Sequence, residues 1–522
     1  MPHSSRVQSL TARATSSAAW MASQTVVSRI SGFAAQMVIA AVLAPEQVGL
    51  IALVTSITII SRHLSTPGTE EVLLTKKHRL RRWLNAAFWF NLANGLLGAA
   101  VLAVTAVVVV KLAQFMGNDA YGDPLVLKMA LIMALASPLS AVQLVPLTVL
   151  QAQLRFKEVS IIYTFEALGT HILTIALALL GLGAYSFVLP LPVVAAVKLG
   201  VLWYLARPRI GMRLSLHRWG ELTGSTFWVL SRRILRTARD HGDQIILGVM
   251  YSDAAMNGHY YFAFLLSSQV VRVMCDNLQK VLLPVLNTIR DDLERLENAT
   301  IRTCRVLAAV IMPFLLCQIV LTGPAIRLVF GTVWSPAIPL VQLLSLAPVL
   351  YATTFPMAAM ISAMGRFKAA FYLSVANLVM FFAIVTPMAA VWEAEGAAGG
   401  VAVWGWAASI LTGIVAFRSL RGARIVFAVV ARALAAVALA SIIPGLMVLF
   451  IPKGTAFAIV KLGIGIPALM IVYFMIMKRI DPDAIEMLRE RVWAKFRAIF
   501  ACRNGKPIVE PPELAGASKL LE

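Results

Sequence analysis

Apolar runs about twenty residues long recur along the whole chain, separated by short polar or charged stretches. That length is what a helix needs to cross the hydrocarbon layer of a membrane. Fourteen such runs centre near residues 30, 57, 98, 138, 171, 195, 238, 270, 311, 347, 380, 406, 438 and 466. Most are bounded by Gly, Pro or charge. The second, seventh and eighth carry charge and are the weakest as spans. The pattern predicts an all-α polytopic membrane protein with about 14 transmembrane helices. The first run, from about Ala18 to Leu43, is interrupted by Arg29 and is too long for the apolar core of a signal peptide. It reads as a retained first helix.

The pattern repeats weakly. Gln153-Leu154-Arg155-Phe156-Lys157 leaves the fourth run and Met364-Gly365-Arg366-Phe367-Lys368 leaves the tenth, 211 residues on. Val48-Gly49 matches Asn257-Gly258, and Glu71-Val72-Leu73-Leu74 matches Lys280-Val281-Leu282-Leu283, both 209 residues on. Six helices separate equivalent positions. An even number makes the two halves parallel repeats about an axis along the membrane normal. The expected organisation is an N-terminal tail (1–16), an N-lobe of six helices (17–206), a basic linker (207–220) and a C-lobe of six helices (221–418). An extra helix pair (419–478) and a tail (479–522) follow. Residues 484–500 can form an amphipathic helix on the inner membrane face, and 503–522 have the composition of a disordered end.

Charge orients this frame. Hydrophobic residues make up 59% of the chain and charged residues 14%, yet the net charge is +21, from 46 Lys+Arg against 25 Asp+Glu. In a chain so apolar the excess points to basic loops beside anionic lipid and not to nucleic acid. Alternate loops are basic: Lys76 to Arg82, Arg155 with Lys157, Arg207 to Arg218, Arg290 to Arg302, Arg366 with Lys368, Arg418 to Arg424, and Lys478-Arg479. The others are neutral or acidic, with Glu46, Asp119, Asp123, Asp253, Glu393 and Glu395; Lys111, Arg327 and Lys453 are exceptions. The positive-inside rule puts both termini in the cytoplasm. Cys275, Cys304, Cys317 and Cys502 form no CxxC pair, so neither a disulfide nor a metal site is expected. Walker A, GxGxxG, HExxH and GxSxG patterns are absent. The expectation is a protein without cofactors that is not an enzyme.

What remains is charge inside apolar segments. Ser231 to Asp243 reads SRRILRTARDHGD. At about 100° per residue, Arg232, Arg236, Arg239 and Asp243 fall in one helical stripe, with Arg233 and Asp240 beside it. An arginine facing lipid at mid-membrane costs at least about 2.5–3.5 kcal/mol. Either this helix lines a wet cavity or it lies on the membrane surface as an amphipathic helix. The loop alternation holds only if it crosses, which favours the cavity. In the eighth run Ser268, Arg272, Asp276 and Gln279 share a face. Arg29 sits mid-way along the first run between Gln24 and Gln36, and Arg62 late in the second. By the repeat, Arg29 falls within about a residue of Arg239, and Arg62 within about a residue of Arg272. Guanidinium groups match phosphate oxygens in a bidentate geometry, so Arg29, Arg62, Arg232, Arg236, Arg239 and Arg272 are candidate binders of a phosphate or other polyanion. The opposing reading is local ion pairing with Asp240, Asp243 and Asp276. These three and Glu166 in the fifth run are the candidate sites for a coupling proton or cation. Lys198 is expected to snorkel towards the basic side, and Asn85, Asn91, Asn94 and Asn377 to bond between helices.

Two six-helix halves, an extra helical pair, the Pro45-Glu46-Gln47-Val48-Gly49-Leu50 turn into helix two and the Leu154-Arg155-Phe156-Lys157 step resemble the Wzx-type oligosaccharide-lipid flippases. These belong to the multidrug/oligosaccharidyl-lipid/polysaccharide exporter superfamily. The likeness covers roughly residues 15–480 and is a pattern of segments. It implies that the protein flips undecaprenyl-diphosphate-linked oligosaccharide units across the bacterial inner membrane by alternating access, for exopolysaccharide, O-antigen or capsule. It implies a polyprenyl-diphosphate-linked oligosaccharide and membrane lipids as partners, with a polysaccharide polymerase as a further candidate, and no nucleic acid. Relatives that flip the peptidoglycan lipid precursor line their cavity with arginines on helices one, two and eight, roles open to Arg29, Arg62 and Arg272. The rivals are a multidrug/cation antiporter of the same superfamily, which would want an anionic or aromatic cavity, and a non-transporting partner of polysaccharide assembly, which would not need buried arginines in both halves.

The topology is tested by labelling. In a cysteine-free background, Asp253→Cys and Glu393→Cys are expected to react with an impermeant thiol reagent added outside intact cells. Arg213→Cys is expected to stay unreacted, and its labelling overturns the orientation.

Overall fold

A computed structural model describes Trp20 and residues 24–115, 117–153, 155–211, 219–417, 420–450 and 455–487, except 26, 68, 71–72, 74–79, 119–121 and 209. The helices are α1 (Val27–Val42), α2 (Pro45–Ser65), α3 (Leu80–Phe115), α4 (Pro124–Ala152) and α5 (Phe156–Leu179). They continue with α6 (Tyr185–Ala206), α7 (Trp219–Asp240), α8 (Gly242–Met250), α9 (Ala254–Thr288), α10 (Leu293–Val329) and α11 (Ala337–Ala363). The last are α12 (Phe367–Ala416), α13 (Leu420–Ala440), α14 (Ile442–Phe450) and α15 (Thr455–Ile480).

Nine helices among the described residues are long and apolar enough to cross a membrane. The fourteen expected segments map onto these elements, with α7 and α8 forming one segment and α13 and α14 another. The fold is that of an all-α, multi-pass membrane protein. The 50-residue α12 holds two segments, folded back at Trp392 and Glu393. Glu393 has φ 50° and ψ −130°, the backbone of the first central residue in a mirror-type turn, where glycine is usual. Gly396 completes this hairpin, because a Cβ there would lie 1.9 Å from the Met388 carbonyl oxygen.

Local signals place the helix starts. Pro45 opens α2 at a position whose N–H would lack a helical partner anyway. Asp123 caps α4 by accepting from the Leu125 N–H at 2.7 Å, and Asp253 caps α9 by accepting from Ala255 and Met256 N–H groups. Such caps are each worth about 1 kcal/mol. All three starts lie at the end of the bundle that carries the neutral and acidic loops.

The internal repeat is visible in paired contacts. A Cβ on Gly49 would sit 1.9 Å from the Ala254 carbonyl oxygen, and one on Gly258 would sit 1.9 Å from the Pro45 carbonyl oxygen. Each residue of the pair Pro45/Gly49 is 209 positions from its counterpart in Ala254/Gly258, so α2 and α9 cross reciprocally about a pseudo-twofold axis. The helix starts at Arg155 and Arg366 also correspond, with φ/ψ of −82°/52° and −79°/54°. Their guanidinium groups donate to the equivalent carbonyls of Leu205, at 3.1 Å, and Val415, at 2.9 Å.

The cores show how the lobes join. At the acidic-loop end one apolar core runs through both, from Leu43, Ile51, Leu102 and Met129 to Tyr260, Trp334, Phe381 and Ala397. At the basic-loop end the larger cores among the described residues are separate, with one small cluster, Ala86 and Phe90 against Trp219, between them. The N-lobe packs Leu84, Val145 and Val149 in one cluster and Leu150, Ile162 and Leu202 in another. The C-lobe packs Leu286, Ile311, Met357 and Tyr473 together with α13 and α15. Trp219 at the start of α7 meets Phe90 of α3 edge to face at this end, with centroids 5.6 Å apart.

Several sequence expectations take a different form. The charged seventh run is not one helix, because it breaks at His241, where φ is −132° and ψ 8°. Lys198 does not snorkel; it is buried in a salt bridge with Glu166. Asn91 accepts from Thr69 of a neighbouring segment at 2.7 Å, whereas Asn94 donates to Phe90 within its own helix. The N-terminal tail, most of the linker and residues 488–522 lie outside the described residues. The start of the tail is described, and it docks on the C-lobe. Asp481 accepts from the Ala484 N–H, Ala484 is buried, and Arg305 of α10 reaches Asp481 at 3.6 Å and Asp483 at 2.9 Å.

The glycine crossing predicts a measurable cost. Gly49→Ala and Gly258→Ala force backbone apart at the shared core, and each is expected to destabilise by ~1–3 kcal/mol or more. Thermal unfolding of the purified protein in detergent checks this; an unchanged melting temperature for both variants rules out the close crossing.

Candidate functional site between the lobes

The break in the seventh segment organises the charged site. Gly242 starts α8 where a Cβ would lie 2.7 Å from the Phe381 ring of α12, so only glycine fits the close approach. The interruption leaves Arg236, Arg239 and Asp240 at the end of α7 and Asp243 in the first turn of α8. A carboxylate is favoured in a first helical turn, where unpaired N–H groups point towards it. Asp243 is 2% exposed. It accepts from the Gln244 N–H at 2.9 Å and from the Tyr260 hydroxyl of α9 at 2.7 Å.

Asp240 carries two guanidinium groups. Arg239 donates to it through Nε at 2.9 Å and through a terminal nitrogen at 2.6 Å, and Arg236 approaches at 3.4 Å. The trio keeps one net positive charge. Arg239, 16% exposed, also lies over the Trp404 ring of α12 at 5.5 Å. Arg236 is 60% exposed. One turn earlier, Thr237 hydrogen-bonds His63 of α2 at 2.6 Å across the lobes.

Arg29 stands elsewhere. It lines a cavity of about 300 Å³ with Gln24, Ser28, Phe33 and Gln36 of the first segment and Gln269 of α9. Gln269 donates to Gln36 across the lobes at 3.2 Å. Arg62 is exposed near the end of α2. Among the described residues the structure thus brings Arg236, Arg239 and Asp240 together; Arg29 lines its own cavity, and Arg62 stands beside His63, which meets Thr237 of α7. Glu166 receives Lys198 at 2.6 Å; the lysine side chain is 7% exposed and the glutamate 38%. Lys198 also lies 4.9 Å from the Tyr163 ring. The side chains of Arg232, Arg272 and Asp276 lie outside the described residues. No group of three or more possible metal ligands occurs among the described residues.

Sequence reading did not find Trp404, Tyr260 or the His63–Thr237 contact. Each is an ordinary residue of an apolar helix until a distant segment is placed against it. The glutamines flanking Arg29 were legible, but their partner Gln269 was not.

Two helical lobes that share a core at one end and hold charge between them have the arrangement expected of the exporter superfamily named above. The comparisons with known proteins agree. A family model described as polysaccharide biosynthesis protein matches residues 38–339, more than half of the chain. The chain belongs to this polysaccharide biosynthesis protein family. It is 25% identical over 311 residues to the succinoglycan biosynthesis transport protein ExoT of Rhizobium meliloti, covering 59% of this chain and 61% of that protein. It is 24% identical over 381 residues to the lipopolysaccharide biosynthesis protein WzxC of Escherichia coli, covering 72% and 74%. The match thus spans less than two thirds of ExoT. Among solved structures, the lipid II flippase MurJ superposes with a TM-score of 0.68 at 12% identity, covering 89% of this chain and 99% of that one. A multidrug resistance MATE transporter superposes at 0.59 with 15% identity, covering 77% and 95%. At these identities the superpositions speak for the fold alone.

The Glu166–Lys198 pair gives a prediction. Glu166→Gln leaves a buried ammonium without its carboxylate, at up to the ~3–5 kcal/mol of a broken buried pair. Membrane-resident protein is expected to fall, and Lys198→Met added to Glu166→Gln is expected to restore it. If the level of Glu166→Gln is normal while export is lost, the pair acts in transport instead.

Proposed function

We propose that the protein flips a polyprenyl-diphosphate-linked oligosaccharide across the bacterial inner membrane by alternating access, in the making of a surface polysaccharide. The observation that carries the reading is the division of the larger apolar cores among the described residues: shared at the acidic-loop end, separate at the basic-loop end apart from the small cluster of Phe90 with Trp219. With the basic loops in the cytoplasm, this is a state in which the lobes part towards the side where lipid-linked sugars are assembled. The names of two relatives support the substrate class: ExoT and WzxC are named for succinoglycan transport and lipopolysaccharide biosynthesis.

In this reading the headgroup enters between the lobes while the polyprenyl tail stays in lipid. Arg29, Arg62, Arg232, Arg236, Arg239 and Arg272 supply the positive field of the cavity for the diphosphate and sugar headgroup, and guanidinium is less strongly hydrated than ammonium, which lowers the cost of drying the contact. Arg236, sharing Asp240 with Arg239, has the exposure to reach a ligand. The lobes then rock about the α2–α9 crossing. Resetting by an ion gradient would use Asp240, Asp243, Asp276 or Glu166; a polysaccharide polymerase is the natural recipient of the flipped unit. The excess of arginine over carboxylate disfavours the antiporter for cationic drugs.

Arg29→Ala is expected to abolish polysaccharide export at an unchanged level of membrane-resident protein, because a solvated site tolerates losing a charge. Arg29→Lys is expected to keep part of it, a point charge replacing a bidentate fork. The measurement is polysaccharide output per unit of membrane protein. Normal export by stable Arg29→Ala removes this arginine from the site.

A further inference from the structure

We propose that the cavity around Arg29 is a subsite that reads one sugar ring of the substrate, with Gln36 and Gln269 as its specificity-determining residues. This rests on the flippase reading above and goes further, because it assigns the two halves of the headgroup to different places between the lobes.

The chemistry of the lining decides which half fits. Of the seven side chains that line it with Gly32, namely Gln24, Thr25, Ser28, Arg29, Phe33, Gln36 and Gln269, one is cationic, three are carboxamides, two are hydroxyls and one is an aromatic ring. A diphosphate only accepts hydrogen bonds. It can use the NH₂ groups of the three amides but leaves their oxygens without a donor. A sugar hydroxyl both donates and accepts, and a carboxamide offers the complementary pair, an oxygen that accepts and an NH₂ that donates. One glutamine can therefore bridge two neighbouring hydroxyls. Phe33, 43% exposed, offers an apolar face for the C–H side of a ring. The volume of about 300 Å³ lies at the small end of ligand cavities; it suits one ring with a few waters and not a whole repeat unit. The guanidinium groups on Asp240 lie on α7, outside this lining, and suit the diphosphate.

The cross-lobe bond gives the subsite a mechanical role. Gln269 Nε2 donates to Gln36 Oε1 at 3.2 Å, the long end of the usual N–H···O range. One residue belongs to each lobe. A ring in the cavity presents hydroxyls to the same two amides, so sugar contacts replace the amide–amide bond and the lobes are released at this level without stranding a polar group. A carrier without sugar offers no hydroxyls at this level, and water alone takes over the two amides when the lobes separate. The subsite thereby favours glycosylated carrier over bare carrier.

The test uses the purified full-length protein in lipid nanodiscs with two probes, undecaprenyl diphosphate and undecaprenyl diphosphate bearing a single hexose. Wild type is expected to bind the glycosylated carrier more tightly. Gln269→Leu and Gln36→Leu, close to glutamine in size, are expected to weaken that binding about tenfold, as for the loss of two hydrogen bonds, and to leave bare-carrier binding within about twofold. Gln269→Asn keeps the amide and is expected to retain part of the preference, which a mere packing defect would not. Equal weakening for both probes, or none for either, overturns the subsite. Equal binding of both probes by wild type overturns it as well, leaving the flippase reading in place. Binding of neither probe by folded wild type overturns the flippase reading and the subsite together.

Discussion

The two lobes meet backbone to backbone, and the rest of the arrangement depends on that contact. Pro45 and Ala254 each present a carbonyl oxygen where a side chain on the opposite glycine would have to be. Helices in lipid gain little from burying apolar surface against one another, so close approach of backbones and directed hydrogen bonds hold them together. A crossing this tight brings the starts of α2 and α9 together and lets one core form around them. Among the described residues no backbone crossing as close joins the lobes at the other end, where Phe90 and Trp219 meet only edge to face. The cross-lobe bonds that do occur, Trp334 to the Ala40 carbonyl, Asn118 to the Gly248 carbonyl, Gln269 to Gln36 and His63 with Thr237, are single contacts. Such contacts are exchanged for others at small cost when two rigid bodies rock.

Charge inside the bundle is managed by local pairing. Asp240 sits between two arginines, Asp243 is bonded by a tyrosine and its neighbour's N–H, and Glu166 holds Lys198. Three of the carboxylates proposed for ion coupling, Asp240, Asp243 and Glu166, are thus bonded in this state, as buried charge requires. The break at His241 is what makes the seventh segment serve this purpose. It turns a stripe of charges on one helix into a cationic end on α7 and a carboxylate at the mouth of α8, two settings with different electrostatics a few residues apart.

Substrate handling follows from the same geometry. Guanidinium groups on α7 and amides on α1 and α9 offer distinct chemistry to the two parts of a sugar diphosphate headgroup. Because α1 belongs to one lobe and α9 to the other, recognition of the sugar and separation of the lobes draw on the same side chains.

The sequence by itself determined the class of fold. Twenty-residue apolar runs, loops of alternating charge and the repeated Arg155/Arg366 step are local or periodic signals, and each rests on the cost of exposing charge or backbone to lipid, which every helix meets alone. It also showed which arginines are costly, since Arg29 and Arg239 are conspicuous against apolar neighbours. Only the tertiary structure decided what those charges touch. Trp404 lies under Arg239 although 165 residues separate them, Lys198 is drawn inwards by Glu166 instead of outwards to the headgroups, and Gly49 matters because Ala254 is pressed against it. Partners of this kind are set by how helices cross, and crossing depends on side-chain packing summed over both lobes. No window of a single helix contains that information.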